Sequence, residues 1–168
     1  MTDETFMRRA LELAERGRYT GSPNPMVGCV IVRDGSIVGE GWHRRAGEAH
    51  AEVEALRSAG DASGATMYVT LEPCSHQGRT GPCAKAILEA RVARVVVAML
   101  DPHEVVDGQG VATLRSAGVE VSTGLLEADA RRLNERFVWS VMHKLPFVIL
   151  KAAITLDGKL ATVARESQ

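Results

Sequence analysis

Three side chains able to bind a soft metal are spread along this chain as His50-Ala51-Glu52, Pro73-Cys74 and Pro82-Cys83. Zinc takes imidazole nitrogen and thiolate sulfur readily, and a catalytic zinc site uses three protein ligands and keeps a fourth position for water. If His50, Cys74 and Cys83 share one ion, three distant segments must meet at one point, and any fold of the chain must allow it. Glu52 sits too close to His50, in the first turn of one helix, to ligate the same ion easily. It can reach the water there, where a proton carrier is needed.

Other readings of the same residues stand beside this one. A lone buried His is commonly a satisfied core residue, and a lone Cys behaves as a small hydrophobe. A redox pair would want a close Cys-x-x-Cys, but eight residues, Ser75 through Pro82, separate Cys74 from Cys83. A closed structural zinc site wants a fourth protein ligand. The candidates are His76 and Cys29, and Cys29 lies inside an apolar run. A zinc-stabilised interaction module without turnover has no use for Glu52. The ordered set His-x-Glu, Pro-Cys, Pro-Cys favours a catalytic zinc.

With 168 residues the chain suits one ordinary domain with a real core. Its net charge of −1 gives no basic surplus to hold a nucleic-acid backbone, so no nucleic-acid partner is expected. No apolar run approaches membrane-spanning length, so no membrane partner is expected either. The polar opening of the chain does not read as a signal peptide. With an odd count of three cysteines, this points to a reducing, cytoplasmic setting in which cysteines serve as ligands rather than disulfides.

Apolar spacing predicts a helix over 5–16, stopped by Gly17, then a loop rich in Gly, Ser, Asn and Pro to Pro25. A buried strand over 26–32 returns through a hairpin turn at Asp34-Gly35 as a partner strand over 36–42. Gly39 and Gly41 thin that second strand and let another backbone or a ligand approach. A helix over 50–59, a strand over 65–71 and a helix from Pro82 through Leu88 follow. The run 92–100 is apolar on both faces and reads as a parallel strand. A polar loop over 101–110 leads to a helix over 111–117 and a strand over 119–122. One long helix over 125–142 is broken by Lys144-Leu145-Pro146, and 147–154 reads as a further strand. Strands alternating with helices give an α/β domain, one sheet with helices on both faces.

The metal ligands fall at element ends. Helix N-termini offer unpaired N–H groups, which favour thiolate over thiol. Two further segments suit a substrate pocket. Asn24, between Pro23 and Pro25, offers one donor and one acceptor fit for the edge of a base, or is a plain loop Asn. The loop between the cysteines holds His76, Gln77, Arg79 and Thr80, able to bind a phosphate or to remain a solvated loop. Its place between two metal ligands favours the site. His43 is a further candidate.

The stretches Pro23-Asn24-Pro25-Met26-Val27-Gly28, His50-Ala51-Glu52, Thr70-Leu71-Glu72-Pro73-Cys74-Ser75-His76 and Gly78-Arg79-Thr80-Gly81-Pro82-Cys83 resemble the riboflavin-biosynthesis pyrimidine deaminases. These form the N-terminal half of bifunctional deaminase/reductases. The resemblance implies a three-layer α/β/α cytidine-deaminase-like fold, and hydrolytic deamination of 2,5-diamino-6-ribosylamino-4(3H)-pyrimidinone 5′-phosphate. A His and two Cys on zinc with a Glu that is not a ligand is the pattern of zinc deaminases of bases. By the resemblance, His50, Cys74 and Cys83 match the zinc ligands and Glu52 the proton shuttle. Asn24, His43, His76 and Arg79 match positions at the pyrimidine and phosphate, with Thr80 beside them. Asp101 and His103 fall on a further loop of the substrate site, and His103 stands where the family has Asn. The resemblance also implies a homo-oligomer. Residues 1–145 read as the deaminase domain. Residues 146–168, with Leu156-Asp157-Gly158-Lys159, resemble the opening of the reductase. The nearest rival is another deaminase of this fold, acting on a free base, a nucleoside or a tRNA adenosine.

Overall fold

The computed structural model describes residues 2–75, 81–103, 108–156 and 158–160. Five strands form one sheet in the order β2-β1-β3-β4-β5, comprising β1 Gly28–Arg33, β2 Ser36–Trp42, β3 Thr66–Leu71, β4 Arg94–Met99 and β5 Glu120–Thr123. β1 runs antiparallel to both β2 and β3, while β3, β4 and β5 are parallel. The apolar run that ends in β4 is buried on both faces and pairs in parallel on both edges, as its composition predicts.

Side-chain alternation splits the core into two layers. Cys29, Ile31, Met67, Val69, Val95 and Val97 face helices α2 (Ala51–Ala59), α3 (Cys83–Glu89) and α4 (Gln109–Ser116). Val30, Val32, Tyr68, Val96 and Ala98 face α1 (Asp3–Glu15) and α5 (Glu127–Leu133). This is the three-layer α/β/α arrangement, and the period of two along each strand builds it.

The hairpin forms where Asp34-Gly35 predicts it. Both residues take positive φ, 53° and 73°, which a two-residue turn between right-twisted strands requires. Gly39 and Gly41 admit the backbone of α2. A Cβ on Gly41 would overlap the carbonyl oxygen of Ala51 and the nitrogen of Ala55, and one on Gly39 the carbonyl oxygen of Ala55. Bare backbone on β2 therefore sets how deep α2 sits, and α2 carries Glu52.

Three expectations are corrected. The strand predicted from residue 26 starts at Gly28, because the N–H and C=O of Met26 bond to the side chain of Asn134 instead of to a neighbouring strand. The single helix predicted over 125–142 is two, α5 and α6 (Glu135–His143), which meet at Asn134 with φ −102° and ψ 22°. The strand predicted over 147–154 does not form. Its apolar residues find no ladder partner in the sheet, and Val148 and Leu150 are 80% and 90% exposed. Among the described residues, no helix is long and apolar enough to cross a membrane.

Candidate metal centre and active site

The site lies at the end of the sheet where the parallel strands β3 and β4 terminate, the usual place for ligands in open α/β sheets. His50 is the N-cap of α2, with φ −73° and ψ 161°, and its side chain makes no capping bond. The extended backbone frees the ring to turn toward the neighbouring element. Cys74 follows β3, and Cys83 opens α3 after the N-cap Pro82. The carbonyl of Cys74 accepts from the N–H of Ala84 at 3.0 Å, and its Sγ from the N–H of Cys83 at 3.4 Å. The start of α3 is thus stitched to the end of β3.

His50 Nδ1 lies 3.2 Å from Cys83 Sγ and 3.6 Å from Cys74 Sγ, and the three donor atoms fall within 4.8 Å of one another. It is the one such cluster of metal-ligating side chains among the described residues. A tetrahedral zinc, with bonds of about 2.3 Å to sulfur and 2.0–2.1 Å to nitrogen, puts N and S about 3.5 Å apart. The donor set and spacing fit that ion.

The electrostatics of the bare cluster point the same way. Hydrogen bonding from the Cys83 thiol, then from His50 and the Cys83 N–H, pulls Cys74 well down and favours its thiolate. That anion, followed by burial, holds the Cys83 thiol well up. The Cys74 thiolate also raises His50. A cation among the three would let both sulfurs ionise and keep the imidazole neutral.

Glu52 is 3% exposed, and burial pushes its carboxyl up to about 7 against the opposing pull of His50. It lines a cavity of about 140 Å³ with His50, Cys74 and Leu71. A broader depression of about 770 Å³ lies between α2 and α3, lined by Glu54, Arg57, Lys85 and Glu89, but it contains none of the metal-ligating groups. The smaller cavity holds the chemistry.

Asn24 and His43 line the other side of that cavity. His43 is buried, and its Nδ1–H donates to the carbonyl of Ala49 at 3.1 Å. Its Nε2 therefore accepts from Asn24 Nδ2, at 3.0 Å. This bond fixes the Asn24 amide, and the sequence alone left the two residues unconnected. Asp101 also lines the cavity. His103 is exposed and donates its N–H to Asp101 Oδ1 at 2.9 Å, and it is not among the lining residues. His76, Arg79 and Thr80 lie outside the described residues.

Two residues not marked out as site residues by the sequence support the site. Glu72 is 4% exposed, and its carboxylate accepts from the N–H groups of Gly108 at 2.9 Å, Val111 at 3.1 Å and Asp101 at 3.3 Å. It thereby holds the start of α4 and the end of β4 against the cavity. Asn134, 2% exposed, accepts from Met26 N–H at 2.7 Å and donates to Met26 C=O at 2.9 Å. A buried acid after a strand and a buried amide within a helical pattern are the only local signals. Neither names its partner.

A three-layer fold with a His-Cys-Cys cluster beside a buried glutamate defines the class of zinc deaminases. Residues 1–99 match the family described as the cytidine and deoxycytidylate deaminase zinc-binding region, and the chain belongs to that family. Within it, the chain matches the N-terminal deaminase domain of the riboflavin biosynthesis protein RibD. It is 56% identical to RibD of Escherichia coli (strain K12) over 169 residues, covering 100% of this chain and 46% of that protein. Acinetobacter baumannii RibD, form 2, superposes with a TM-score of 0.95 at 52% identity, over 98% of this chain and 47% of that one. A diaminohydroxyphosphoribosylaminopyrimidine deaminase/5-amino-6-(5-phosphoribosylamino)uracil reductase from Thermotoga maritima gives 0.94 at 47% identity, over 99% of this chain and 48% of that one. The chain spans about half the length of the relatives it matches.

Proposed function

We propose that this chain hydrolyses 2,5-diamino-6-ribosylamino-4(3H)-pyrimidinone 5′-phosphate to 5-amino-6-ribosylaminouracil 5′-phosphate and ammonia. The observation that carries the reading is Glu52, a buried carboxyl that shares a cavity with His50 and Cys74, beside the clustered donor atoms of His50, Cys74 and Cys83. Zinc, when held by these three residues, acidifies water near neutral pH so that it can attack an electrophilic carbon.

Glu52 accepts one proton from the attacking water and passes it to the exocyclic nitrogen. A C–O bond forms, the C–N bond breaks, and nitrogen leaves as ammonia rather than as an amide anion. In the metal-free chain burial raises the Glu52 carboxyl, which favours its taking up a proton in a site that is otherwise water-poor. His43 uses one Asn24 N–H and so leaves the Asn24 oxygen and its second N–H to read the ring edge. At about 140 Å³ the cavity is well below the ~300–1,000 Å³ of sites that enclose a whole ligand, so it takes the ring while the ribose phosphate stays outside.

Ammonia release from this compound and from its unphosphorylated nucleoside tests the reading, with zinc content measured in parallel. Turnover of the phosphorylated compound is expected, and no turnover by zinc-loaded protein would overturn the proposal. From the sequence, Arg79 is assigned to the phosphate, because its guanidinium can make a bidentate pair. Arg79→Ala should lower kcat/KM for the phosphorylated compound about tenfold to a hundredfold. Zinc content and activity on the nucleoside should hardly change. Equal losses on both compounds would remove Arg79 from phosphate recognition.

We assign residues 146–168 to the opening of a second, reductase-like domain. Its support is the exposed apolar run of Val148, Leu150 and Ile154 together with the half-length match to the relatives. A chain ended at residue 145 should keep its zinc and melt within about 2–4 °C of the longer one, the shift expected of roughly 1 kcal/mol for a domain of this size. A much larger fall would make this segment part of the deaminase domain.

A further inference from the structure

We infer that Phe137 is a substrate-binding residue whose ring covers one face of the flat heterocycle in the cavity, held there by the clasp of Asn134 on Met26. The inference rests on the deaminase reading above and adds a residue on α6 to it.

Helix α6 has no fully buried residue of its own. Its half-buried Val138 touches the core layer beneath α1, and Trp139 and Met142 are 41% and 61% exposed. A helix so weakly sunk into a core needs another anchor, and Asn134 at its N-cap provides one. Both polar atoms of the buried amide are used on the backbone of a single residue, Met26. Met26 lies two residues beyond Asn24, the side chain that reads the ring edge in the proposed function. The clasp therefore fixes α6 relative to the loop that carries Asn24.

Phe137 follows Asn134 by three residues, so the two lie on one side of the helix. Phe137 is half-buried, and it lines the same cavity as Asn24, His43 and Glu52. It belongs to neither core layer. Apart from the imidazoles of His43 and His50, it is the one aromatic ring among the described lining residues. His50 belongs to the metal cluster and His43 is held at both nitrogens, by Ala49 and Asn24. Among the described lining residues, Phe137 is thus the ring without a polar task. A flat heterocycle gains most from an aromatic face, and a stack of this kind tolerates changes at the ring edge.

The contact is made equally in the ground state and the transition state, so losing it raises KM with little change in kcat. Phe137→Leu retains an apolar side chain on α6 but removes the planar face, whereas Phe137→Tyr keeps the face. With the diaminopyrimidinone phosphate as substrate, the Leu variant should raise KM on the order of tenfold to a hundredfold, and the Tyr variant should stay near wild type. The Leu loss should be the same for the unphosphorylated nucleoside, since the ring and not the phosphate is touched. Asn134→Ala should also raise KM, and adding Phe137→Leu should cost less than the two changes separately. A Leu variant with wild-type KM overturns the role of Phe137, and strict additivity removes Asn134 from it. If wild-type protein neither deaminates nor, by calorimetry, binds the substrate, the deaminase reading itself fails and takes this inference with it.

Discussion

Glu52→Gln should leave the fold and the bound zinc intact while turnover drops by about 10²- to 10⁴-fold, the range for removing a positioned proton carrier. The amide is nearly isosteric and carries no charge, so it suits a site where burial already opposes ionisation. It cannot take up the proton from water or return it to the departing nitrogen. Ammonia release and metal analysis on the same preparation check both halves. A variant that deaminates at near the wild-type rate would sink the assigned role.

Stability offers a second reading of the same residue. Burial lifts the Glu52 pKa from 4.5 to about 7, so between those values the folded metal-free chain binds more protons than the unfolded one. The Glu52 contribution to stability is therefore greatest below 4.5 and is lost as pH rises toward 7. Gln has no such dependence. Relative to wild type, metal-free Glu52→Gln should gain about 3 kcal/mol from pH 4.5 to 7 and level off above. Denaturant titrations of both proteins across this range test the effect; groups remote from Glu52 cancel in the difference, and His50, raised by its bond to Cys74 and also by the Glu52 charge, adds a smaller change of its own.

What the sequence reveals follows from the range of the interactions involved. The sheet and the α2, α3 and α4 layer are written in local periods, and the hairpin in Asp34-Gly35, so these were legible. The division at Asn134 was not. Leu126, Ala130, Leu133, Phe137 and Val141 keep helical spacing straight through it, and the cause is a bond to Met26, 108 residues away. Glu72 is similar, since an acid after a strand reads as solvated until three N–H groups close over it. The error over 147–154 has the opposite origin: an apolar run makes a strand only where a partner exists. In the site, the identities of His50, Glu52, Cys74 and Cys83 announced a chemistry. The bond that joins Asn24 to His43 is a property of the fold, and so is the position of Phe137.

Cys83→Ser should abolish metal retention and, with it, turnover. Cys83 is fully buried and sits 3.2 Å from His50 Nδ1, at the first position of α3. Its thiol is held up by the neighbouring Cys74 thiolate, and a divalent ion is what would allow both sulfurs to ionise. A serine hydroxyl is far harder to deprotonate than a thiol and is a poor ligand for zinc. Changing a group that only orients a ligand already costs 10–100-fold in metal affinity, so losing a ligand should cost more. After dialysis the wild type should hold about one zinc per chain, from the three-ligand count of a catalytic site, and the variant far less. Because the ion binds the folded state, a chelator should lower the melting temperature of wild type but hardly move that of Cys83→Ser. Cys29→Ala serves as the contrast. Cys29 is fully buried in the layer facing α2, and burial keeps its thiol protonated, so it has no call on the metal. Its substitution should cost stability and leave zinc content unchanged. A Cys83→Ser protein that keeps a full zinc, or a Cys29→Ala protein that loses it, would require a different set of ligands.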